Sequence, residues 1–319
     1  MKGAILGIDT SNYTTSAAVC DISGNVIANL KIPLEVKPGE RGLRQSDALF
    51  AHTKNLPLLF DKVRDIAAAE GIEFLAAGVS ARPRAVEGSY MPCFLAGQSA
   101  AAAFAAGAGV PLFEFSHQCG HISAALYSSG TYGKIASQDF AAFHVSGGTT
   151  EALIARASGD GFQTEIVGKT LDISAGQAVD RIGVMLGLDF PCGAALEKLA
   201  EKFEGSLAPY RKGISVSGAD CNFSGLENLA ATLYAKTGDK SLTSAFVFDY
   251  IGRTLAAMCR AIEERKGSIP FLFAGGVMSN KIIRNYLTDF ESYFCAPEYA
   301  ADNAAGIALL AQRKYNSNH

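Results

Sequence analysis

Two histidines four residues apart are the feature of this sequence most suited to chemistry. His117 and His121 lie in one short stretch, and residues four apart share one face of a helix. Two imidazoles at this spacing can therefore converge on one metal ion. Gln118 stands where a zincin protease needs a glutamate as general base, which disfavours peptide hydrolysis by that route. The alternative is a helix start capped by Ser116, with histidines that bind nothing.

Asp302 begins the last predicted helix. An aspartate at that position is a good N-cap, because its carboxylate accepts hydrogen bonds from the first helical amides. A carboxylate near two histidines would also complete a site with open positions, suited to iron or zinc. Spacing along the chain does not show whether Asp302 lies near the histidines. The N-cap and the metal-ligand interpretations of Asp302 therefore both stay open at this point.

Two short loops of small polar residues have the composition of phosphate-binding turns. Residues 9–12 (Asp-Thr-Ser-Asn) and 146–149 (Ser-Gly-Gly-Thr) each join two predicted strands, and another glycine pair stands at 275–276. Backbone N–H groups in such turns can point together at an anion, and glycine lets a phosphate approach closely. One glycine turn would be an ordinary hairpin. Two facing hairpins clamp the nucleotide phosphates in the actin, Hsp70 and sugar-kinase superfamily, so the repeat favours nucleotide binding.

The predicted elements alternate between strands and helices. Strands at 4–8, 16–21 and 25–30 are followed, about 135 residues later, by the same pattern at 141–146, 150–157 and 162–168. Further strands are predicted at 75–80, 112–115, 270–274 and near 293. Helices are predicted at 46–70 (kinked or divided by Pro57), 92–107, 174–186, 193–203, 225–236 and 241–266, and from residues 117, 279 and 302. The pattern indicates a duplicated α/β domain with a mixed sheet in each lobe.

Composition bounds the class of protein. The chain has 319 residues, 49% of them hydrophobic, enough for about two domains with their own cores. Its net charge is −3 without a basic run, so nucleic acid would need a locally basic surface or a partner's help. The seven cysteines form no C-x-x-C pair, which favours buried reduced thiols. The N-terminal apolar run is too short for a signal peptide, and the uncharged stretch 88–113 is rich in alanine and glycine. We therefore expect a cytoplasmic protein without a membrane segment.

The chemistry-bearing stretches occur in a characteristic order. They read GIDTS at 7–11, HQCGH at 117–121, VSGGT at 145–149, TLDISAGQAVDR at 170–181, LDFPCG at 188–193, NFSGL at 222–226, AGGVMSN at 274–280 and ADN at 301–303. Together they resemble the universal tRNA threonylcarbamoyl-adenosine transferase family, called TsaD in bacteria. That family shows G-I-E-T-S, H-x-x-x-H, V-S-G-G-H, S-I-D-D-A-A-G-E-A-F-D-K, L-D-Y-P-G-G, F-S-F-S-G-L, A-G-G-V-S-A-N and T-D-N. The resemblance spans essentially the whole chain.

The resemblance implies an α/β fold of the actin/Hsp70/sugar-kinase (ASKHA) type, with two duplicated RNase H-like lobes around a nucleotide cleft. The first lobe would comprise 1–116 and the C-terminal helix 297–319, and the second lobe 117–296 with helical insertions. His117, His121 and Asp302 would bind one divalent metal ion, iron or zinc. An adenine nucleotide or adenylate would contact His144, Val145, Ser146, Gly147, Gly148, Asp180, Gly193, Glu197 and Asn280.

The function that the resemblance implies is a metal-assisted acyl transfer in tRNA processing. In the family reaction, threonylcarbamoyl-adenylate gives its acyl group to N6 of an adenosine in the tRNA anticodon loop, and AMP is released. The expected partners are tRNA, the adenylate substrate, and TsaB- and TsaE-like proteins. We also expect Asp9 to help organise the cleft.

Three departures from the family pattern fall near the expected reaction centre. The stretch 12–15 reads NYTT where the family shows the acidic pair of C-D-E-T, and Thr149 replaces the final histidine of V-S-G-G-H. Arg82 and Arg84 replace the glycines of A-G-P-G-L. Their guanidinium groups either bind an anion, such as a carboxylate or phosphate, or belong to a solvated loop. Two alternatives to tRNA modification therefore stay open: carbamoyl transfer to another acceptor, and a non-catalytic nucleotide- and metal-binding subunit that partners a true family member.

Overall fold

The computed structural model describes residues 1–11, 13–35, 43–159 and 161–319. Contacts divide the chain into a first unit of Met1–Tyr132, Ala157–Gln163 and Glu298–His319, and a second unit of Gly133–Arg156 and Thr164–Pro297. The domain boundaries expected after residues 116 and 296 stay a prediction. Asn12, in the first predicted phosphate loop, lies outside the described residues.

The strands are numbered in chain order. They are β1 (Lys2–Asp9), β2 (Thr14–Asp21), β3 (Val26–Pro33), β4 (Ile72–Arg82), β5 (Leu112–Ser116), β6 (Phe140–Val145), β7 (Thr150–Ser158), β8 (Gly161–Lys169), β9 (Ser215–Ser217), β10 (Asp220–Asn222), β11 (Phe271–Ala274) and β12 (Ser292–Phe294).

The helices are numbered in the same way. They are α1 (Gln45–Glu70), α2 (Phe94–Ala108), α3 (His117–Ser128), α4 (Tyr132–Ile135), α5 (Ala175–Met185), α6 (Gly193–Ala200), α7 (Ser224–Thr237), α8 (Lys240–Lys266), α9 (Lys281–Asn285), α10 (Pro297–Ala300) and α11 (Ala305–Asn318). Short 3₁₀ turns cover Ala208–Tyr210 and Gly276–Ser279.

The two five-stranded sheets have the same topology. The first has the order β3-β2-β1-β4-β5, and the second has the corresponding order β8-β7-β6-β11-β12. In the first sheet β1 pairs antiparallel with β2 and parallel with β4; in the second, β6 pairs antiparallel with β7 and parallel with β11. This repeated order confirms the duplicated α/β architecture predicted from the recurring strand pattern.

The sheet of the first unit is covered on both faces. Strand β1 is buried from Ala4 to Asp9, the near-continuous burial of a strand that packs on both sides. One face packs against α1 and α2 through an apolar cluster that includes Leu6, Leu59 and Ala101. Helix α11 packs against β1 and β4, and it also contacts α3. The C-terminal helix is therefore part of the first unit's core and lies beside the helix that carries the two histidines.

The core of the second unit is formed by its sheet and helices α5 to α8. Phe143, Phe271 and Phe273 are buried in neighbouring strands, and their ring centroids lie 5.0–6.3 Å apart. Helix α8 contributes a further buried run that includes Phe246 and Ile251. Close aromatic packing of this kind fixes the strand ends from which the loops around 146–149 and 275–280 extend.

The structure differs from the predicted elements in the following respects. Pro57 lies within α1, so it does not divide the helix, and the kink at this residue stays a prediction. The last helix begins at Ala305 and not at Asp302, because the Asn303 side chain accepts a hydrogen bond from the Ala305 amide and Asp302 lies outside the helix. The hairpin of β9 and β10 was not predicted, because each strand has only three residues and no extended apolar alternation. None of the described helices has the length and apolarity needed to cross a membrane.

Asp172 ties a loop of the second unit to the start of α7. Its carboxylate accepts hydrogen bonds from the backbone amides of Ile173 (2.7 Å), Phe223 (2.8 Å) and Ser224 (3.0 Å). Burial alone would raise the pKa of Asp172, but these bonds lower it below its usual range. A lowered native pKa stabilises the fold above the unfolded value of 3.8, and that contribution is lost as the pH falls through the native pKa.

We therefore expect Asp172→Asn to lower the free energy of unfolding at pH 7, with a smaller difference from the wild type at pH 3. Urea unfolding of both proteins at the two pH values measures this. Equal differences at both pH values would contradict the role of the ionised carboxylate. The wild type is the reference for this experiment. Asp239→Asn would not be a neutral control, because the Asp239 side chain caps α8.

Candidate functional site

Helix α3 positions the two histidines at its first turn. Ser116 is the N-cap, and its side chain accepts a hydrogen bond from the Cys119 amide at 3.2 Å. His117 is the first helical residue and His121 follows one turn later, with ring centroids 4.3 Å apart. The helix-cap interpretation and the converging-imidazole interpretation are therefore compatible: Ser116 fixes the helix start, and that start sets the two rings side by side.

Asp302 completes a compact cluster with these rings. Its Oδ1 lies 3.2 Å from His121 Nε2 and 3.5 Å from His117 Nε2. The three ligand atoms all lie within 4.8 Å of one another, and the three side chains are partly buried. Asp302 is therefore not the N-cap of the last helix, as one interpretation of the sequence had it, but a partner of both imidazoles.

This donor set fits a divalent transition metal. Ligands held about 2.0–2.2 Å from one ion lie roughly 3.0–3.5 Å from each other. The distances from Asp302 Oδ1 to the two imidazole nitrogens have that size. Two imidazoles and one carboxylate are ligands that iron(II) and zinc share, and such sites keep further positions open. The residues present could thus hold the ion that the resemblance implies.

Close approach of two helices brings Asp302 to the histidines. Gly120 of α3 and Gly306 of α11 lie against each other, and a Cβ atom added at Gly306 would overlap the Gly120 carbonyl oxygen. Any side chain at this contact would push α11 away from α3. Gly306 is therefore required to keep α11, and Asp302 just before it, close to His121.

A buried carboxylate lies on the other side of His117. Asp9, at the end of β1, is fully buried, and its Oδ2 lies 3.0 Å from His117 Nδ1. Ser11 donates its hydroxyl proton to the same oxygen at 2.9 Å, and Ser80 donates to Oδ1. His117 thus has one ring nitrogen directed at Asp9 and the other directed at Asp302.

The two carboxylates set the charge of His117. Burial tends to lower the pKa of this imidazole, but Asp9 and Asp302 outweigh that effect and raise the pKa to about 10. Burial raises the pKa of each carboxyl group, yet His117 lowers that of Asp9, and both histidines lower that of Asp302. Both carboxylates therefore favour the protonated form of the His117 imidazole.

Two neighbouring nucleophiles do not form a catalytic dyad with His117. Ser11 Oγ lies 2.9 Å from His117 Nδ1, but the Asp9 carboxylate lies at that same nitrogen, so the nitrogen cannot accept the serine proton as a general base. Cys119, between the two histidines in sequence, is buried and donates its thiol proton to the Phe162 carbonyl at 3.2 Å. Its sulfur does not belong to the ligand cluster.

A cavity of about 400 Å³ lies in the second unit, a size typical of small-molecule sites. The loops after β6 and β11 and the helices α5 and α6 surround it. It is lined by Gly147, Gly176, Val179, Asp180, Phe190, Pro191, Gly193, Ala194, Glu197, Phe248, Gly276, Val277, Ser279 and Asn280. Five of the expected nucleotide contacts therefore share one cavity: Gly147, Asp180, Gly193, Glu197 and Asn280.

The polar groups of this cavity are held by backbone amides. Asp180 accepts a hydrogen bond from Cys192 N at 2.9 Å, and Glu197 accepts one from Lys281 N at 2.7 Å. Asn280 caps α9 through its Oδ1, which accepts from Ile283 N at 2.9 Å. Asn280 is only 6% exposed, and its amide nitrogen Nδ2 is buried without a hydrogen-bond partner. A buried donor without a partner costs free energy, and a bound ligand can supply the acceptor.

The loop 146–149 differs from the expected open cradle of amides. Ser146 Oγ accepts hydrogen bonds from the amides of Gly148 (3.4 Å) and Thr149 (3.1 Å), so the side chain already occupies two of the N–H groups. Gly176 packs directly on this loop, since a Cβ there would lie 2.5 Å from the Ser146 carbonyl oxygen. Of the expected contacts in this region, His144, Val145, Ser146 and Gly148 do not line the cavity.

Apolar residues of the cavity were missed in the sequence. Phe190 is 74% exposed at its edge, and Val179 and Phe248 form part of its wall. Phe190 stands in the LDFPCG motif, where an aromatic residue three positions before Gly193 is a sequence signal for a stacking contact. Phe248 carries no such signal, because it lies in a helix that is buried along most of its length.

The arginine-containing loop lies beside the start of α3. Arg82 pairs with Ser116 in the register of β4 and β5, and the Pro83 carbonyl accepts a hydrogen bond from the Gln118 amide at 3.1 Å. The Arg84 amide donates to Ser89 Oγ at 3.0 Å. The backbone of both arginines is therefore fixed next to the helix turn that carries His117. Tyr13, which replaces one acidic residue of the family pattern, is 45% exposed.

Comparisons with known proteins agree with this architecture. A family model described as TsaD, tRNA N6-adenosine threonylcarbamoyltransferase, matches residues 35–309. Component A of the (R)-2-hydroxyglutaryl-CoA dehydratase of Acidaminococcus fermentans is 16% identical with a TM-score of 0.54, covering 98% of this chain and 99% of that one. HypF of T. kodakarensis is 12% identical with a TM-score of 0.60, covering 99% of this chain and 48% of that one. The activator of the 2-hydroxyisocaproyl-CoA dehydratase of Clostridium difficile, with bound ADPNP, is 13% identical with a TM-score of 0.53, covering 99% and 96%. At these identities the likeness concerns the fold, which is the ASKHA type that the sequence predicts.

Proposed function

Since the chain belongs to the TsaD family of tRNA N6-adenosine threonylcarbamoyltransferases, we propose that it transfers a threonylcarbamoyl group from threonylcarbamoyl-adenylate to N6 of an adenosine in the tRNA anticodon loop. The observation that carries this proposal is the convergence of His117, His121 and Asp302, whose ligand atoms lie within 4.8 Å of one another. A family member that had lost its chemistry would have no need of such a donor set in a partly buried position.

The reaction replaces one acyl bond with another. The N6 amine attacks the carbamoyl carbon, the bond from that carbon to the phosphate oxygen breaks, and AMP leaves while the amine loses a proton. A divalent metal ion bound by His117, His121 and Asp302 would supply Lewis acidity for the carbonyl or hold the threonyl carboxylate. Asp9 would hold His117 in place.

The cavity of the second unit supports the adenosine part of this proposal. A carboxylate has about four acceptor sites, so Asp180 and Glu197 can each accept a ribose hydroxyl beside the amide they already bind. The buried amide nitrogen of Asn280 lacks an acceptor, which a ring nitrogen or hydroxyl oxygen of the nucleoside would provide. Phe190 offers an exposed aromatic face, and Gly147, with Gly148 and Ser146 beside it, would lie nearest the phosphate.

Transfer of label tests the proposal. Purified protein would be incubated with threonylcarbamoyl-adenylate labelled in the threonyl part and with unmodified tRNA, with and without TsaB- and TsaE-like proteins. We expect label on adenosine, loss of most of it in His117→Ala, and little change in the exposed surface variant Glu298→Ala. Tight adenylate binding without any labelled tRNA would contradict the proposal and favour a non-catalytic subunit.

The charge of the arginine loop favours a second candidate, carbamoyl transfer to an acceptor other than tRNA. Arg82 and Arg84 flank Pro83 beside the histidine helix, where a guanidinium group can bind a carboxylate or phosphate with two hydrogen bonds. Acidic small molecules should then accept label in the absence of tRNA. Arg82→Ala should raise the KM for such an acceptor about tenfold or more, since a hydrogen bond to a charged group contributes roughly 1.5 kcal/mol. Equal labelling by acidic and neutral acceptors would contradict this candidate.

A further inference from the structure

We propose that Asp9 is a positioning residue, which holds the Nδ1–H group of His117 and thereby directs Nε2 of that ring to the metal ion. This inference rests on the metal site of the proposed function and adds to it a residue outside the ligand cluster. It follows from the hydrogen bonds of the buried Asp9 carboxylate, which involve both of its oxygens.

All acceptor positions of the Asp9 carboxylate are occupied. Oδ1 accepts from the Ser11 amide at 3.0 Å and from the Ser80 hydroxyl. Oδ2 accepts from the Ser11 hydroxyl at 2.9 Å and lies 3.0 Å from His117 Nδ1. A carboxylate has about four lone-pair sites, so these four contacts leave none for a metal ion. Asp9 therefore acts through His117 and is not a fourth ligand.

The same contacts fix which ring nitrogen carries the proton. The ionised carboxylate of Asp9 accepts and cannot donate, and Ser11 gives its single hydroxyl proton to Oδ2. Both groups lie within 3.0 Å of His117 Nδ1, so Nδ1 must be the donor. The neutral imidazole then has its lone pair on Nε2, which lies 3.5 Å from Asp302 Oδ1 and 3.4 Å from Ser11 Oγ. A carboxylate behind a metal-bound histidine orients the ring and makes the ligating nitrogen more basic.

Binding of Zn²⁺ and Co²⁺ to the purified 319-residue chain tests this role. We expect the Kd for Zn²⁺ to rise about 10- to 100-fold in Asp9→Ala. Asp9→Asn should show a smaller rise, since an amide can still face Nδ1 with its oxygen but must turn its NH₂ group to Ser11 and Ser80. Ser16→Ala is the matched control: Ser16 is buried and donates to the Asp9 backbone carbonyl at 3.2 Å, without touching the carboxylate. Its Kd should equal that of the wild type.

A spectroscopic measurement separates positioning from general loss of structure. In ¹⁵N-labelled, zinc-loaded wild type, the His117 ring should carry a slowly exchanging proton on Nδ1. Circular dichroism first establishes that Asp9→Asn is folded. When this variant is loaded with excess Zn²⁺, that proton should exchange faster. The visible absorption of its Co²⁺ form should differ from that of the wild type. In Ser16→Ala both signals should match the wild type.

The outcomes are distinct. A proton on Nε2 of His117 in the zinc-loaded wild type would overturn the inference, and so would equal Kd values for wild type, Asp9→Asn and Asp9→Ala. In those two cases the metal site of the proposed function would stand. A wild type that binds neither Zn²⁺ nor Co²⁺ would overturn the metal site, and the inference with it.

Discussion

Replacing Asp302 with alanine is expected to weaken Zn²⁺ binding roughly 100- to 1,000-fold. Structural zinc sites with four ligands bind with about 10–16 kcal/mol, so one ligand accounts for about 2.5–4 kcal/mol, which corresponds to that change in Kd. Asp302 is the one carboxylate in the cluster, and its Oδ1 lies within 3.5 Å of Nε2 of both His117 and His121. Competition with a chromophoric chelator measures the Kd directly and without an assay of transfer.

Glu298→Ala is the control for this experiment. Glu298 is an exposed carboxylate four residues before Asp302, and its side chain is not in the cluster. Removing it changes the net charge by the same amount, so a purely electrostatic loss of affinity would appear in both variants. An Asp302→Ala protein whose Kd matches that of Glu298→Ala would contradict a ligand role for Asp302.

The second large effect concerns stability: Asp249→Ala is expected to lower the free energy of unfolding by about 3–5 kcal/mol. Asp249 is fully buried in α8 and accepts hydrogen bonds from Arg253 Nε (2.7 Å), Arg211 Nε (3.0 Å) and the Tyr286 hydroxyl (2.6 Å). Without the carboxylate, the Arg253 guanidinium, whose side chain is 21% exposed, loses the charge that compensates its burial. Removing one partner of a buried ion pair typically costs about 3–5 kcal/mol.

Asp139→Ala gives the matched comparison in the same unit. Asp139 makes two hydrogen bonds to Arg156, at 2.8 and 2.6 Å, but both side chains are about half exposed. An exposed pair contributes about 1 kcal/mol or less. Chemical denaturation of both variants should therefore separate them by at least about 2 kcal/mol. Equal losses would show that burial of Asp249 does not govern its contribution.

The fold could be predicted from the sequence because its signals are local and repeated. The strands at 4–8, 16–21 and 25–30 and their counterparts near 141–168 each appear in the structure as part of a strand. The last helix was placed three residues too early, since Asp302 looks like an N-cap when its distant partners are unknown. Its carboxylate lies against His121 instead, 181 residues earlier in the chain.

The candidate site was only partly accessible from residue types. The spacing of His117 and His121 predicted converging rings, but the approach of Asp302 depends on the contact of two glycines in different helices, which spacing does not reveal. The loop 146–149 was expected to offer its amides to phosphate, and Ser146 occupies two of them in the structure. Local composition identifies such a loop, but the conformation of one hydroxyl decides how many amides remain available.

The place of α11 in the first unit has a consequence for biosynthesis. A nascent chain leaves the ribosome with its N-terminal part first, and domains tend to fold in that order. Strands β1 and β4 are made early, yet the face formed by Gly7 and Gly78 is covered by Ala308 and Ala311 of α11, which is made much later. Until that helix emerges, one face of the sheet is not covered by α11, and His117 and His121 lack Asp302 as a partner. Metal loading at the proposed site is therefore expected to follow synthesis of α11, and until then the uncovered face of the sheet is an apolar surface that a chaperone could bind.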